Sequence, residues 1–137
     1  MCLSIAVDHP DHVLSSGEHE GFEFVTVHNG MGFRCGYVRV PLGHPWHGRS
    51  YDEIEPYPQV HGGLTFSKAD KPCGGDRPDN GWWLGFDCAH GGDLPDPALP
   101  TDCDIGMPSF GRGVVRTQEY VEAGCRSLCQ QAKESVT

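Results

Sequence analysis

Four side chains in this 137-residue sequence carry the clearest chemistry: His61, Asp87, His90 and Asp93. Imidazole nitrogen together with carboxylate oxygen suits zinc or a harder first-row divalent metal. The run Asp87-Cys88-Ala89-His90-Gly91-Gly92-Asp93 puts three of these groups within seven residues. No standard zinc spacing accompanies them, so a second reading stands beside the first, in which both aspartates accept backbone N–H bonds in a tight glycine turn. His61 and His90 are also candidates for a catalytic acid/base pair, because histidine is the side chain whose unperturbed titration lies near neutrality. The repeated His-x-Thr of two-histidine phosphodiesterases is not met: Thr65 stands four residues after His61, and no matching threonine follows His90. Cys88, beside Asp87 and close to His90, is the one candidate nucleophilic thiol, against its alternative as a small buried hydrophobe.

Three segments mix such groups with glycine and aromatic residues: GHPWHG (43–48), HGGLTF (61–66) and WWLGFDCAHGGD (82–93). His44, Trp46 and His47 come from the first, His61 and Gly62 from the second, and Trp82, Trp83, Asp87, His90 and Asp93 from the third. The tryptophans and Tyr37 offer surfaces on which a ring or nucleobase can stack. Consecutive residues of a strand face opposite sides, so one of Trp82 and Trp83 enters the core. The other is left for a loop-covered face, a pocket or an interface between copies. The glycines let a ligand approach backbone N–H groups, and Arg39, Arg49, Arg112 and Arg116 could meet a phosphate or simply remain solvated surface charges.

These groups must be positioned by a small set of elements. Residues 1–21 begin with a short apolar run, Leu3 to Val7, and read as a strand and loop or a loosely packed segment. Phe22 to Val27 and Phe33 to Val40 alternate and are rich in β-branched and aromatic residues, and Asn29-Gly30 between them predicts a two-residue type I′ hairpin. After the proline-rich stretch 41–58, with one helical turn expected at Ser50–Ile54, Val60–Phe66 reads as a third strand with a bulge at its glycines. Trp82–Asp87 reads as a fourth. Thr117 is the expected N-cap of a final helix, whose buried face is Val121, Cys125, Leu128 and Ala132. If the third and fourth strands pair antiparallel, His61 lies at the same sheet edge as Asp87 and His90, and the 43–48 segment, entering from that side, brings His44 and His47 to close the pocket. The expected class is α+β: one domain over residues 1–137, with a small, curved, largely antiparallel sheet, one long C-terminal helix and long Gly/Pro-rich loops.

Composition sets the outer limits. The 10 lysines and arginines against 19 aspartates and glutamates give a net charge of −9. Such a chain lacks the basic face that sequence-independent nucleic-acid binding or an anionic membrane surface requires. No apolar run approaches the roughly 18–20 residues of a membrane span, and the first residues lack the basic start and apolar run of a signal peptide. A cytosolic protein is expected. Its seven cysteines, an odd number, are expected to be reduced thiols.

The order HGGLTF then WWLGFDCAHGGD, preceded by CGYVRVPLGHPWHGRSYDEI and followed by EYVEAGCRSLCQQ, resembles a family of small phage- and prophage-borne proteins, over residues 33–131. The resemblance implies an accessory protein of viral or mobile-element origin and carries no activity with it. Three functions stay open. One is capture of a small nucleotide-derived ligand, as in countering a host defence. Another is a His/Asp hydrolase acting on such a ligand, with or without a divalent metal. The last is a structural or protein-interaction module. One consequence is directly measurable: titration of the denatured chain without reductant should count close to seven thiols, whereas a count near one would mean three disulfides and an oxidising compartment.

Overall fold

The computed structural model describes residues 12–69, 81–99 and 113–136. β1 (Val13–His19), β2 (Phe22–His28), β3 (Arg34–Val40), β4 (Phe66–Ala69) and β5 (Trp82–Asp87) form an open sheet in the order β1-β2-β3-β5-β4. Every neighbouring pair in it is antiparallel. A short parallel pair, β6 (Asp93–Leu94) with β7 (Val114–Val115), stands apart, and α1 (Gln118–Glu134) closes the chain. The α+β class is as expected.

The local rules acted in places other than those expected. β1 occupies part of the segment read as loose, and the run Leu3–Val7 lies outside the described residues. The type I′ geometry is found at Glu20-Gly21, with φ of 53° and 85°, where His19 pairs with Phe22. The expected two-residue turn at Asn29-Gly30 is instead a loop over 29–33, with His28 paired to Arg34. Asn29 Oδ1 accepts from the amides of Met31 and Phe33, an Asx turn that lengthens the connection. No strand covers Val60–Phe66. Gly62 and Gly63 both have positive φ, 70° and 80°, which turns the chain instead of extending it, and β4 begins at Phe66 where the expected strand ends. Ser50–Ile54 makes a single hydrogen-bonded turn, Glu53 N to Ser50 O, and no helix.

Both faces of the sheet carry buried side chains. Phe24, Val38, Leu84 and Phe86 face α1, with Trp46, Ile54 and Leu64 of the 41–64 segment packed alongside. Val25, Val27, Tyr37 and Trp83 form a second cluster with Val13 and Phe66. The period of two therefore sends both tryptophans against packed surroundings: Trp83 is 0% exposed, and Trp82, half-buried, packs on the helix side.

α1 begins as the capping pattern predicts. Thr117 is extended and its hydroxyl accepts from the Tyr120 amide at 3.2 Å. Glu119 and Lys133 lie in the first and last turns, where the helix dipole favours their charges. Val121, Cys125, Leu128 and Ala132 are all fully buried, joined by Cys129. The helix comes close to the sheet because residue 36 is glycine: a Cβ there would stand 2.6 Å from both Cys125 Sγ and Phe86 Cζ. The Gln118 amide donates to Ser15 Oγ and Thr26 Oγ1 at 2.9 and 2.8 Å, and Arg34 Nε donates to Gln118 Oε1. These bonds pin the first turn of the helix to β1, β2 and β3.

Burying a charge at the centre of the helix face has no compensating partner, so Leu128→Asp should lower stability by several kcal/mol. Chemical denaturation checks this; a midpoint equal to that of the parent would refute the face assignment.

Candidate functional site

Three segments converge beside the N-terminal turns of α1. In the first, residues 57–65, Tyr57 clamps Leu64: its hydroxyl accepts from the Leu64 amide at 2.8 Å and donates to the Leu64 carbonyl at 3.2 Å. Leu64 is buried in the core, so the turn carrying His61 is held at both ends. The second, residues 87–93, is a turn built by its aspartates. Asp93 N donates to His90 O, and His90 N donates back to Asp93 Oδ2, both at 3.0 Å. Asp87 Oδ1 accepts from Ala89 N at 3.4 Å. In the third, the β6–β7 pairing sets Asp93 opposite Val114, which delivers Arg116 to the same place.

At the centre lies a chain of hydrogen bonds. Arg116 Nε donates to Asp93 Oδ1 at 2.7 Å, His61 Nε2 meets Asp93 Oδ2 at 2.8 Å, and His61 Nδ1 meets Tyr120 Oη at 2.8 Å. Burial on its own would raise the Asp93 carboxyl, but the bonds from Arg116, His61 and the His90 amide outweigh it and hold the group below the ordinary aspartate value. Asp93 is therefore an ionised acceptor. An acceptor on this side favours the His61 tautomer with its proton on Nε2, in which Nδ1 accepts the Tyr120 hydroxyl. The Arg116 guanidinium also lies 5.0 Å from the centre of the Tyr120 ring, and its own proton is held more tightly, first by the bond to Asp93.

A second dyad stands beside the first. His90 Nε2 lies 2.8 Å from Asp87 Oδ1, but off the N–H axis, so the contact is electrostatic with no aligned hydrogen bond. The His61 and His90 ring centres are 6.1 Å apart. Gly62 sits between them in a way only glycine permits: a Cβ would fall 2.3 Å from His90 Cδ2 and Nε2, at a positive φ.

The structure thus gathers His61, Gly62, Asp87, His90 and Asp93, five of the residues singled out from sequence. It does not gather the others. His44 lies at the far end of α1, its Nε2 on the Ala132 carbonyl at 2.9 Å and its Nδ1 accepting from the Trp46 amide. Ala132 is twelve residues beyond Tyr120, about 18 Å along the helix. Trp46 is 4% exposed. His47 packs on Trp82, whose Nε1 donates to the Arg49 carbonyl. Trp82 and Asp87 occupy opposite ends of β5, about 16 Å apart at the strand rise. Trp83 is buried and offers no platform. His44 and His47 do not close this site, because the 43–48 segment packs under the C-terminal end of the helix.

Two chemical expectations bear on these same groups. Asp93 spends both oxygens on Arg116, His61 and the His90 amide, and the Nε2 atoms of His61 and His90 each face a carboxylate. Among the described residues no group of three or more His, Cys, Asp or Glu side chains placed to hold a metal ion is found; within the set, His61 and Asp93 are engaged in hydrogen bonds. Cys88 is 1% exposed, and burial, aided by Asp93, pushes its thiol up to about 12, which removes it as a thiolate nucleophile. It is unpaired, as are Cys35, Cys125 and Cys129; Cys2, Cys73 and Cys103 lie outside the described residues.

Tyr120 was not singled out by the sequence reading, and Arg116 appeared there only as one of four surface arginines. A signal for the first was present. Tyr120 stands one position before the buried stripe, and Ala123, Gly124 and Ser127 continue the same flank with small side chains. Together with Gln59, Val60, His61 and Phe86 they line an open groove of about 440 Å³. His61 and Tyr120 present their joined rings to it.

Because its folded-state value is depressed, Asp93 contributes stability that is complete above the ordinary value of 3.8 and lost as pH falls below it. Asp93→Asn should cost about 2–3 kcal/mol at neutral pH through its charge-assisted bonds. The gap to the parent should narrow below pH 3.8; a pH-independent gap in denaturation midpoints would show that the charge of Asp93 is not what matters. Comparisons of the chain with protein families, curated proteins and solved structures returned no match.

Proposed function

We propose that the protein captures a small, ring-bearing, uncharged ligand in the groove between α1 and the 57–61 segment. The observation that carries this reading is the His61–Tyr120 hydrogen bond exposed on that groove. It leaves the Tyr120 oxygen able to accept from a ligand, beside an imidazole whose other ring nitrogen is held by Asp93. Apolar contact combined with a few oriented polar groups is the usual form of a small-molecule site. Phe86 and Val60 supply apolar contact, and Gln59 and Ser127 supply further polar atoms.

Charge narrows the ligand class. Among the described residues no lysine or arginine lines the groove, and the chain carries a net −9, so a free phosphate would meet an unfavourable field. Of the nucleotide-derived ligands expected from sequence, the nucleoside or base part suits the groove better than the phosphate. The motif pair HGGLTF and WWLGFDCAHGGD supports an accessory role of phage or mobile-element origin, in which capture itself is the activity. A hydrolytic role is the second reading, favoured by one observation: the ionised Asp93 orients His61 as a general base.

Titration with adenosine, monitored by amide chemical shifts, should perturb Val60, Gly124 and Ser127, while adenosine 5′-monophosphate should bind more weakly. His61→Ala should abolish the response. Shifts confined to the 43–58 segment, or no response to either compound, would overturn the reading.

A further inference from the structure

We propose that Tyr120 is a nucleophile, with His61 as its base and Asp93 as the group that orients the base, and that it accepts an acyl group from neutral activated esters entering the groove. The inference rests on the same site as the ligand reading and adds covalent chemistry to it. Three linked contacts carry it. The Tyr120 hydroxyl is within hydrogen-bond reach of His61 Nδ1 at 2.8 Å. The opposite ring nitrogen is held by Asp93 at 2.8 Å. Asp93 is itself held by Arg116 at 2.7 Å. A nucleophile, a base and an orienting carboxylate in sequence is the arrangement that activates hydroxyl nucleophiles on unrelated folds. Here the hydroxyl is phenolic, which gives up a proton more readily than an aliphatic alcohol.

Access and charge point the same way. Tyr120 is 41% exposed and lies on the groove wall with His61. The guanidinium 5.0 Å from the ring centre favours negative charge developing on the phenol oxygen. Because no lysine or arginine lines the groove among the described residues, a neutral carboxylic ester fits it better than a phosphoryl donor.

The step balances without an outside reagent other than water. The Tyr120 Oη proton passes to His61 Nδ1 as Oη bonds to the carbonyl carbon, and the bond from that carbon to the leaving oxygen breaks with its electron pair. The imidazolium, stabilised by Asp93, returns its proton to the leaving group or to solvent. The acylated Tyr120 no longer donates to Nδ1, so His61 can then take a proton from water, which cleaves the aryl ester and restores the phenol.

The test uses the full chain and p-nitrophenyl acetate, with intact-mass measurement and peptide mapping beside nitrophenolate release. In samples quenched with acid within the first turnover, one acetyl group on Tyr120 is expected. His61→Ala should slow labelling of Tyr120 by a factor of about 100 or more. Tyr120→Phe should remove the site-specific label, and Asp93→Asn should slow it at least about tenfold. Acetyl groups spread over Lys68, Lys133 and other surface amines with Tyr120 unmodified in the parent protein would overturn the proposal, whatever the variants do. Labelling of Tyr120 at an equal rate in His61→Ala would also overturn it. Specific acylation together with no response to adenosine would support the nucleophile and overturn the ligand class. Adenosine binding with Tyr120 unlabelled would overturn the nucleophile and leave the capture reading standing.

Discussion

The site depends on a carboxylate that has no access to water. The Asp93 side chain is 0% exposed, and an ionised group in that position is tolerated only if its oxygens are satisfied within the protein. Three donors do so, and they come from three separate stretches of chain: Arg116 just before α1, His61 in the 57–65 segment, and the His90 amide in its own turn. Satisfying one charge therefore ties together the loop before β4, the loop after β5 and the start of the helix. Removing any one donor leaves the others holding an under-paired charge, so the three segments are coupled through these few polar atoms as well as through the core that Leu64, Cys88 and Val121 share.

That coupling has a chemical consequence. A carboxylate buried for structural reasons also favours one tautomer of the histidine that serves it. With the His61 proton on Nε2, Nδ1 faces outward as an acceptor and takes the hydroxyl of Tyr120. The residue that closes the relay is placed by other forces. The first turn of α1 is set by the Thr117 cap and by the bonds of Gln118 to Ser15 and Thr26, and its depth against the sheet is set by the missing side chain at Gly36. Stabilising the fold and positioning His61 against Tyr120 use the same contacts.

The histidines divide into two kinds. His44 ties the 43–48 segment to the last turn of α1, where the Ala132 carbonyl needs a partner at the helix end, and burial lowers its affinity for a proton. His61 and His90 stand at the opposite end, each facing an aspartate. Gly62 lets the His90 ring lie against the backbone beside His61. Of the pair, it is His61 that lines the groove; His90 and Asp87 back the turn from which Asp93 reaches it.

Sequence alone determined what depends on neighbours within a few residues. The strands Phe22–Val27 and Trp82–Asp87, the helix from Thr117 and its buried face follow from alternation, from the helical period and from one capping hydroxyl. Each acts over a turn or a pleat. The turn chemistry of Asp87 and Asp93 was legible for the same reason. The grouping of His61 with His90 was reached through a strand that does not exist. What held was the antiparallel pairing of the flanking segments, although the paired strand begins at Phe66 and the glycines before it make a turn. Tertiary structure decided the rest. Whether Trp46 and Trp83 stack on a ligand or fill a core depends on what covers each face of the sheet, and the period of two does not say. That Asp93 pairs with an arginine depends on Arg116, brought by a parallel pairing between residues more than twenty positions apart. Tyr120 joined the site because burying Asp93 placed His61 beside the first turn of α1, and an exposed helical tyrosine carries no local mark of the base that another segment will set against it.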